Sequence, residues 1–570
     1  MSQSNFGGRR SGGQSVGAAG QNRVGQGRSG ANRRDDRNDS FNPAGAGRTK
    51  RGGGGETRRN DKGRERNRKA QFSREFSESS PSARRRSSDP ARLTAYQVIN
   101  AVVMDDSYAN LVLPKTIRAN HLDHRDAGFA TELCYGTLRH QGTYDAILAH
   151  CVDRPLEKTG KQIMTALRMG AHQILSMRVP SHAALNSTVA LARAEIGSGP
   201  AGFINAVLRR VSERSPEEWQ DIIQADAKDE YTRLALSKSH PAWVVRAFRQ
   251  ALAAHGRNPE EIGALLDADN AAPVVNLVAL PGLGSLDEAL DKGAEEGTLV
   301  QGSALYSSGD LGRLESVREG TVRAQDAGSQ LVARALADAP LEGTDRAWLD
   351  LCAGPGGKAA LLGALGADRG AQLLANESAK HRAKLVESSL KPLTQGSYKV
   401  VTGDGRKISS TVEKQSLLPS GMHPGQLFDR VMVDVPCSGL GALRRRPEAR
   451  WRKTPRDIAE LLTLQKELFD AAAAQTRPGG LIAYVTCSPH MAETQNIVLD
   501  ILKSGEVELL DSAAALRNAA LKDSAGNSVL AGELDPAHVL DERHPSQTTA
   551  QLWPHIHGTD AMFFALFQKK

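Results

Sequence analysis

An alternation of apolar runs and helical stretches fills residues 326–570 and is the strongest constraint on how this chain folds. Each apolar run has the length of a buried strand, and each is followed by a glycine-rich or polar turn. The alternation predicts an α/β domain with a doubly wound, mostly parallel sheet, whose ligands bind beyond the carboxyl ends of the strands. The predicted strands are AWLDLCA, AQLLANE, YKVVTGD, FDRVMVDVP and GGLIAYVTCS, and the helices between them include SQLVARALADA and DIAELLTLQKELFDAAAAQ.

Residues 89–240 have a purely helical character. Asp89 is placed to cap a helix that begins with Pro90. In the stretch AGFINAVLRRVSER the apolar residues recur at helical spacing, and two arginines lie on another face. We therefore predict an all-helical domain, in which Cys134 and Cys151 are packing residues.

Residues 241–325 combine one helical stretch, AWVVRAFRQALAAHG, with two short apolar runs that are predicted to be strands, PVVNLVAL and GTLVQG. We expect a small α/β linker region here. A chain of 570 residues is too long for one ordinary domain, which agrees with several folded units.

Residues 1–88 are rich in Gly, Ser, Asn and Arg and have few aliphatic residues. They hold 21 Lys and Arg against 8 Asp and Glu, which leaves 52 against 57 in the rest of the chain. Such a segment cannot bury enough apolar surface to offset its ordering entropy, so we predict a disordered arm. The arm is expected either to add sequence-independent affinity for RNA or to act only as a solubilising tail.

The composition excludes several classes of protein. No apolar run approaches the ~20 residues that a membrane helix needs, and the polar N-terminus does not look like a signal peptide. The five cysteines have no paired spacing, which argues against a disulfide framework or a zinc motif. We therefore expect a cytoplasmic protein with reduced thiols, no metal and a monomeric state.

A glycine-rich turn follows the first predicted strand, in LDLCAGPGGKAALLGAL. Glycines let the backbone approach a ligand closely, and a helix N-terminus offers free N–H donors. The segment matches neither a Walker loop nor a dinucleotide fingerprint, so a nucleoside ligand without a triphosphate fits it better. Glu377 and Asp404, after the next two strands, are placed to bind a ribose and an adenine ring. The predicted cofactor-binding residues of the turn are Cys352, Ala353, Gly354, Pro355, Gly356, Gly357 and Lys358.

Two cysteines stand just past predicted strands, Cys437 in DVPCSGLGALRRRPEARW and Cys487 in YVTCSPH. A buried structural cysteine is the usual explanation for such a residue. Two strand-end thiols beside a cofactor turn favour a reactive pair instead, because a reduced thiol can act as a nucleophile. Asp434 stands three residues before Cys437, at the end of the same strand.

The segments CAGPGGK, DVPCSG and YVTCSPH, with VRAQDAGSQL upstream, resemble the RNA cytosine-5 methyltransferases. The helical region with YANLVLP and ELCYGTLRH resembles the NusB-like RNA-binding domain. The combination is similar to the bacterial Sun/Fmu group of small-subunit rRNA cytosine-5 methyltransferases and covers residues 89–570. The family usually has alanine where this chain has Gly354, and often has aspartate where this chain has Asn376 and Glu377.

The resemblance implies a Rossmann-like class I methyltransferase domain that binds S-adenosyl-L-methionine and methylates C5 of a cytidine in 16S rRNA. It implies that Cys487 is the nucleophile that adds to C6 and that Cys437 assists product release. Asp434 would bind the cytosine edge and line the cofactor pocket, and Lys358 would lower the thiol pKa. The residues alone leave the roles of the two thiols open, because DNA cytosine methyltransferases attack with the Pro-Cys thiol.

A basic run after the Pro-Cys motif is predicted to bind RNA phosphates, with a merely solvated face as the alternative. It contains Arg444, Arg445, Arg446 and Arg450. Two other functions also stay open. One is the same chemistry on tRNA or DNA, although the helical domain and the paired cysteine motifs count against DNA. The other is a non-catalytic RNA-binding or antitermination factor, which would need neither the cysteines nor the cofactor residues.

Overall fold

The computed structural model describes residues 89–307, 309–532, 538–539 and 547–570, and the predicted arm at 1–88 lies outside these ranges. The first part of the described chain is helical. Its helices are α1 Pro90–Met104, α2 Ala109–Ala119, α3 His124–Arg139, α4 Gln141–His150, α5 Lys161–Leu175, α6 Ser181–Glu195, α7 Ser198–Val211, α8 Pro216–Ala225, α9 Glu230–Lys238, α10 Ala242–Ala254 and α11 Ile262–Asn270.

The helical part forms as its local signals predict. The Asp89 carboxylate accepts a hydrogen bond of 2.8 Å from the Arg92 amide, and Pro90 is the first residue of α1. This cap satisfies one of the amides that a helix N-terminus leaves without a partner. The apolar face of α7 packs into a core shared with the other helices, and Cys134 and Cys151 are buried in that core. The prediction of an all-helical domain is confirmed.

A four-stranded antiparallel sheet follows, in the order β2-β3-β1-β4. Its elements form a βαββαβ unit of ferredoxin-like topology. The prediction of a strand in GTLVQG is wrong, because residues 297–302 form the turn between β2 and β3. Gly302 has a left-handed φ of 71°, which ends an extended run. The elements are β1 Val275–Ala279, α12 Asp287–Asp291, β2 Glu295–Glu296, β3 Ser303–Tyr306, α13 Glu315–Glu319 and β4 Val322–Ala324.

The third part is built on a large mixed sheet in the order β7-β6-β5-β8-β9-β13-β12-β11, with β10 paired to β13. Strands β5 to β9 are parallel, and β13 runs antiparallel to β9. Its elements are α14 Ala327–Asp338, β5 Ala347–Asp350, α15 Gly357–Ala367, β6 Gln372–Glu377, α16 Lys380–Leu390, β7 Tyr398–Thr402, α17 Ile408–Gln415, β8 Phe428–Asp434, α18 Pro455–Gln475, β9 Thr476–Thr486, α19 Gln495–Leu502, β10 Val507–Leu509, α20 Ser512–Ala519, β11 His538–Val539, β12 Thr548–Gln551, α21 Pro554–His557 and β13 Phe563–Lys569.

Helices cover both faces of this sheet, which confirms the doubly wound prediction. Helices α14, α15, α16 and α20 pack on one face, and α17, α18 and α19 pack on the other. The strand order reverses between β5 and β8, because β5 pairs in parallel with both β6 and β8. Ligands of such sheets bind at this reversal, beyond the carboxyl ends of the strands.

Helices α10 and α11 connect the helical part to the large sheet. They share an apolar cluster with the segment that follows β8 and with α18, including Leu440, Leu443 and Ile458. The segment after β8 therefore packs against the helical part of the chain as well as against α18. None of the helices in the described ranges combines the length and the apolar character needed to cross a membrane.

Candidate active site

The glycine turn connects β5 to α15 at the reversal of strand order. Gly356 has a φ of 113°, and a Cβ there would lie 2.5 Å from the Cβ of Ser389 on α16. Only glycine fits this position, so the turn can stay tight against α16. Helix α15 begins at Gly357, and its first amides lack partners within the helix. The turn thus offers backbone donors at the carboxyl edge of the sheet.

Asp350, the last residue of β5, is a further acid in this cradle that the sequence interpretation did not select. Its side chain is 1% exposed, and neither carboxylate oxygen has a hydrogen-bond partner among the described residues. Burial, with Asp434 nearby, raises the pKa of Asp350 to about 7. A buried acid without partners is costly unless a ligand satisfies it. The signal that would have found it is an acid at a strand end directly before a glycine turn.

Glu377 lies at the end of β6 and faces the same turn. It is 3% exposed, and its Oε1 accepts a hydrogen bond of 2.9 Å from the Ala379 amide. Its Oε2 lies 3.4 Å from the Arg382 guanidinium. A Cβ added at Gly354 would overlap Oε2 of Glu377. The carboxylate of Glu377 therefore fills the space that the methyl group of an alanine at position 354 would need.

Asp404 follows β7 at the same edge of the sheet. Its carboxylate accepts a hydrogen bond of 3.0 Å from the Arg406 amide and also pairs with the Arg406 guanidinium. The hydrogen bonds from the Arg406 guanidinium, with a smaller effect of the Arg406 amide, lower the pKa of Asp404. Asp404 is thus a charged turn residue on the cofactor side, and its contact with an adenine ring remains a prediction.

The two strand-end cysteines meet in the structure. Cys437 follows β8 and Cys487 follows β9, and because these strands are parallel neighbours their Sγ atoms lie 3.4 Å apart. Both residues are partly exposed, so neither thiol is sealed inside the core. The Gly441 amide donates to the Cys487 carbonyl at 2.8 Å, which ties the loop after β8 to the end of β9.

Lys358, on the first turn of α15, connects the cofactor cradle to the thiols. Its Nζ lies 2.9 Å from the Asp434 carboxylate. Asp434 raises the pKa of Lys358 against the opposing effect of burial, so the side chain is a stable cation. The structure therefore brings Lys358, Asp434, Cys437 and Cys487 together next to the glycine turn.

The two thiols have opposite electrostatic surroundings. A hydrogen bond from Cys437 lowers the pKa of Cys487 against burial, and the charge of Lys358 lowers it further. The contact with Cys487 and burial raise the pKa of Cys437, and Glu493 adds to that effect. Cys487 is thus the thiol favoured as a thiolate, and Cys437 is the thiol favoured as a proton donor.

Glu493 is a second group that sequence reasoning missed. Its side chain is fully buried and lies behind both cysteine loops. The Ser438 amide donates to its Oε1 at 2.8 Å, and the Ser488 hydroxyl donates to its Oε2 at 2.7 Å. Nothing in the local pattern HMAETQN marks this residue, because two of its partners, Ser438 and Gln465, come from distant parts of the sequence.

The predicted basic run divides into buried and partly exposed residues. Arg444 is 8% exposed and donates to the Gly558 carbonyl at 2.9 Å, with Asp326 3.4 Å from its guanidinium. Arg445 pairs with the buried Asp560 but keeps part of its side chain exposed. Arg446 is partly exposed, with its guanidinium 4.9 Å from the centre of the Tyr108 ring.

The prediction that Arg450 binds RNA is wrong, because its side chain is completely buried. Arg450 is 0% exposed and donates to the Ser239 carbonyl at 2.9 Å and to the Asn270 side chain at 2.7 Å. Arg450 is enclosed by groups from other parts of the chain, so phosphates cannot reach it. Arg444 lines a pocket with His557 and Gly558, and its contact with RNA stays a prediction. In the described ranges, no cluster of three or more His, Cys, Asp or Glu side chains could hold a metal ion.

Comparisons with known proteins agree with this geometry. The family model described as 16S rRNA methyltransferase RsmB/F matches residues 335–568, and the NusB family model matches residues 89–213. A putative methyltransferase of Mycobacterium tuberculosis (strain H37Rv) is 43% identical over 490 residues, which cover 85% of this chain and 98% of that protein. Ribosomal RNA small subunit methyltransferase B of Escherichia coli (strain 536) is 32% identical over 406 residues, 70% of this chain and 86% of that protein.

Among solved structures, the crystal structure of PH0851 has the same fold. It superposes with a TM-score of 0.66 at 20% identity, covering 85% of this chain and 99% of that one. The resemblance to the Sun/Fmu group is confirmed by the family models and the named relatives. The chain belongs to the RsmB/F family of 16S rRNA methyltransferases, with a NusB-family domain at its helical end and S-adenosylmethionine as its methyl donor.

Proposed function

We propose that this methyltransferase modifies C5 of a cytosine in 16S rRNA through a covalent bond between Cys487 and C6 of the base. The observation that carries the proposal is the pair of thiols 3.4 Å apart beyond β8 and β9. A methyltransferase that acts on a nitrogen or an oxygen has no need of two facing thiols. Covalent attack on a pyrimidine ring needs a thiolate and a proton donor beside it.

The cradle around the glycine turn fits S-adenosylmethionine. Asp350 has two buried oxygens without partners, which suit the amino group of the cofactor. Glu377 is placed to accept from ribose hydroxyls, and Asp404 remains a candidate for the adenine ring. The turn residues 352–358 supply backbone contacts. When bound, S-adenosylmethionine supplies the electrophilic methyl group that an activated C5 can take.

Gly354→Ala is expected to weaken S-adenosylmethionine binding by about tenfold or more, because the new methyl group displaces the Glu377 carboxylate from its charged hydrogen bonds. The double variant Gly354→Ala with Glu377→Asp should recover most of the affinity, since the shorter acid vacates the shared space. Calorimetric titration of both variants measures the effect. Equal affinity in wild type and in Gly354→Ala would show that the overlap is relieved without cost.

Covalent addition solves a problem of reactivity. Cytosine C5 is a weak nucleophile, and addition of the Cys487 thiolate to C6 converts the ring into an enamine that is nucleophilic at C5. Asp434, which is partly exposed at the end of β8, is placed to bind the base near N3 and to favour this addition. Lys358 holds Asp434 and stabilises the thiolate through its charge. After methylation, a water molecule takes the C5 proton, the electrons of that C–H bond restore the double bond between C5 and C6, and Cys487 leaves C6 as a thiolate.

Cys437 is the member of the pair that keeps its proton. Its Sγ lies 3.4 Å from the Cys487 sulfur, so a protonated Cys437 can donate to the Cys487 thiolate before attack and again when the bond to C6 breaks. A group in that place is suited to assist elimination. The target base must be unpaired or extruded from its helix to reach either thiol.

RNA contacts are proposed for the partly exposed arginines beside this site, Arg445 and Arg446, which can reach backbone phosphates. The NusB-family domain is the second RNA-binding element. The rRNA substrate places the proposed reaction in the cytoplasm, and a monomer remains our prediction for the oligomeric state.

The proposal is tested with 16S rRNA transcribed in vitro from cytidine that carries tritium at C5. Methylation at C5 must release one tritium for each methyl group transferred, whereas methylation elsewhere releases none. We expect equal amounts of methyl incorporation and tritium release on 16S rRNA, and neither on tRNA. Methyl incorporation without tritium release would exclude C5 chemistry, and a preference for tRNA would change the substrate but leave the chemistry intact.

A further inference from the structure

Glu493 joins the two cysteine loops through one buried carboxylate. Its Oε2 accepts from the Ser438 hydroxyl at 2.6 Å and from the Ser488 hydroxyl at 2.7 Å. Its Oε1 accepts from the Ser438 amide at 2.8 Å and from the Gln465 side chain at 3.1 Å. Four donors thus converge on a group that has no exposed surface.

The two serines that donate to Glu493 are the sequence neighbours of the two cysteines. Ser438 directly follows Cys437, and Ser488 directly follows Cys487. The two hydroxyls are also 3.0 Å from each other. A rigid acceptor shared by the residues next to each thiol sets the distance between the thiols themselves.

The carboxylate also makes the surroundings of the pair asymmetric. Cys437 faces Glu493 and Tyr484 on its side, with Thr486 in the same surroundings. Cys487 faces Lys358 and Arg445 as cations, together with Asp434 and Asp560. Glu493 disfavours a negative charge on Cys437, whereas the cations beside Cys487 offset its two neighbouring carboxylates, which favours the proton on the first thiol and the charge on the second.

We propose that Glu493 is a positioning residue that sets the spacing of the two thiols and keeps Cys437 protonated, so that Cys487 alone becomes the nucleophile. This role deepens the proposed covalent mechanism, since it explains how two identical thiols in contact take different parts. Glu493 does not touch the base or the methyl donor in this scheme. It acts only through the cysteine loops.

The charge component is tested by limited alkylation with iodoacetamide near neutral pH, followed by peptide mapping of the modified cysteine. Wild-type protein should be modified mainly at Cys487. Glu493→Gln keeps the size of the side chain and removes its charge, so the alkylation rate at Cys437 should rise by about tenfold for each pKa unit that its thiol loses. Glu508→Gln is the matched control, because it removes the same charge from an exposed side chain on β10. This variant should behave as the wild-type protein.

The spacing component is tested with variants that leave the charge in place. Ser438→Ala and Ser488→Ala each remove one hydroxyl donor to the carboxylate. Each should slow diamide-driven disulfide formation between Cys437 and Cys487 severalfold, while alkylation stays at Cys487. Diamide takes two electrons and two protons from the thiol pair, so the rate reports how often the sulfurs meet.

Two results would overturn the role of Glu493. One is an unchanged ratio of Cys437 to Cys487 alkylation in Glu493→Gln. The other is wild-type crosslinking in both serine variants, which decides the matter even if Glu493→Gln does not fold. Neither measurement uses RNA or methyl donor, so its failure is distinguishable from a failure of the proposed C5 methylation, which the tritium experiment measures separately.

Discussion

Cys487→Ala is expected to lower methyl transfer to 16S rRNA by more than about a thousandfold, because the variant lacks the nucleophile and no neighbouring group can form the bond to C6. Cys437 cannot replace it, since burial and the nearby Glu493 still raise the pKa of its thiol in this variant. Methyl incorporation from labelled S-adenosylmethionine measures the loss. Retention of activity close to wild type would rule out Cys487 as the nucleophile.

Cys437→Ala is expected to block the release of the methylated RNA, which is the last step of the same reaction. Attack and methylation can proceed, but the adduct loses the proton donor beside it, so protein remains bound to RNA. Denaturing gels should show a slowly migrating protein–RNA species that Cys487→Ala does not form. If the Pro-Cys thiol attacked instead, the two variants would exchange behaviours. Cys151→Ala is the control, since Cys151 is buried in the helical core and should form no adduct.

Arg450→Ala is expected to lower the free energy of unfolding by about 3–5 kcal/mol, because it leaves buried acceptors without their donor and opens a cavity. Arg450 is fully buried between the helical part and the segment after β8, where it donates to the Ser239 carbonyl, the Asn270 side chain and the Asp269 carbonyl. Burial raises the pKa of Asp269 to about 7, and Arg450 is the main cation that opposes that shift. The variant therefore also loses part of the charge that compensates the burial of Asp269.

Urea unfolding of the variant measures this effect. Arg456→Ala is the control, because that side chain is 89% exposed and its pair with Glu460 is a surface pair. The control should change the unfolding free energy by less than about 0.5 kcal/mol. A stable Arg450→Ala protein with weakened, less salt-dependent RNA binding would contradict the buried role and restore the phosphate contact that the sequence suggested.

Patterns confined to neighbouring residues were sufficient for much of the fold and the site. The Asp89 cap depends on an amide three residues away, and the strand–turn–helix alternation depends on local periodicity. Parallel strands present their carboxyl ends at one edge, so motifs that follow β5, β8 and β9 had to converge. That rule is sufficient to predict that Cys437, Cys487 and the glycine turn lie together.

Burial and charge were decided by tertiary contacts instead. Arg450 is enclosed by residues some 200 positions away. A basic run whose sequence predicts an RNA-binding surface therefore contains a fully buried arginine. Glu493 accepts hydrogen bonds from Ser438 and Gln465, which are distant in sequence, and the pKa of each thiol depends on the contact between the two sulfurs and on the charges around them. The physical reason is that desolvation and Coulomb energy depend on distance in space, which spacing along the chain does not report for residues on different elements.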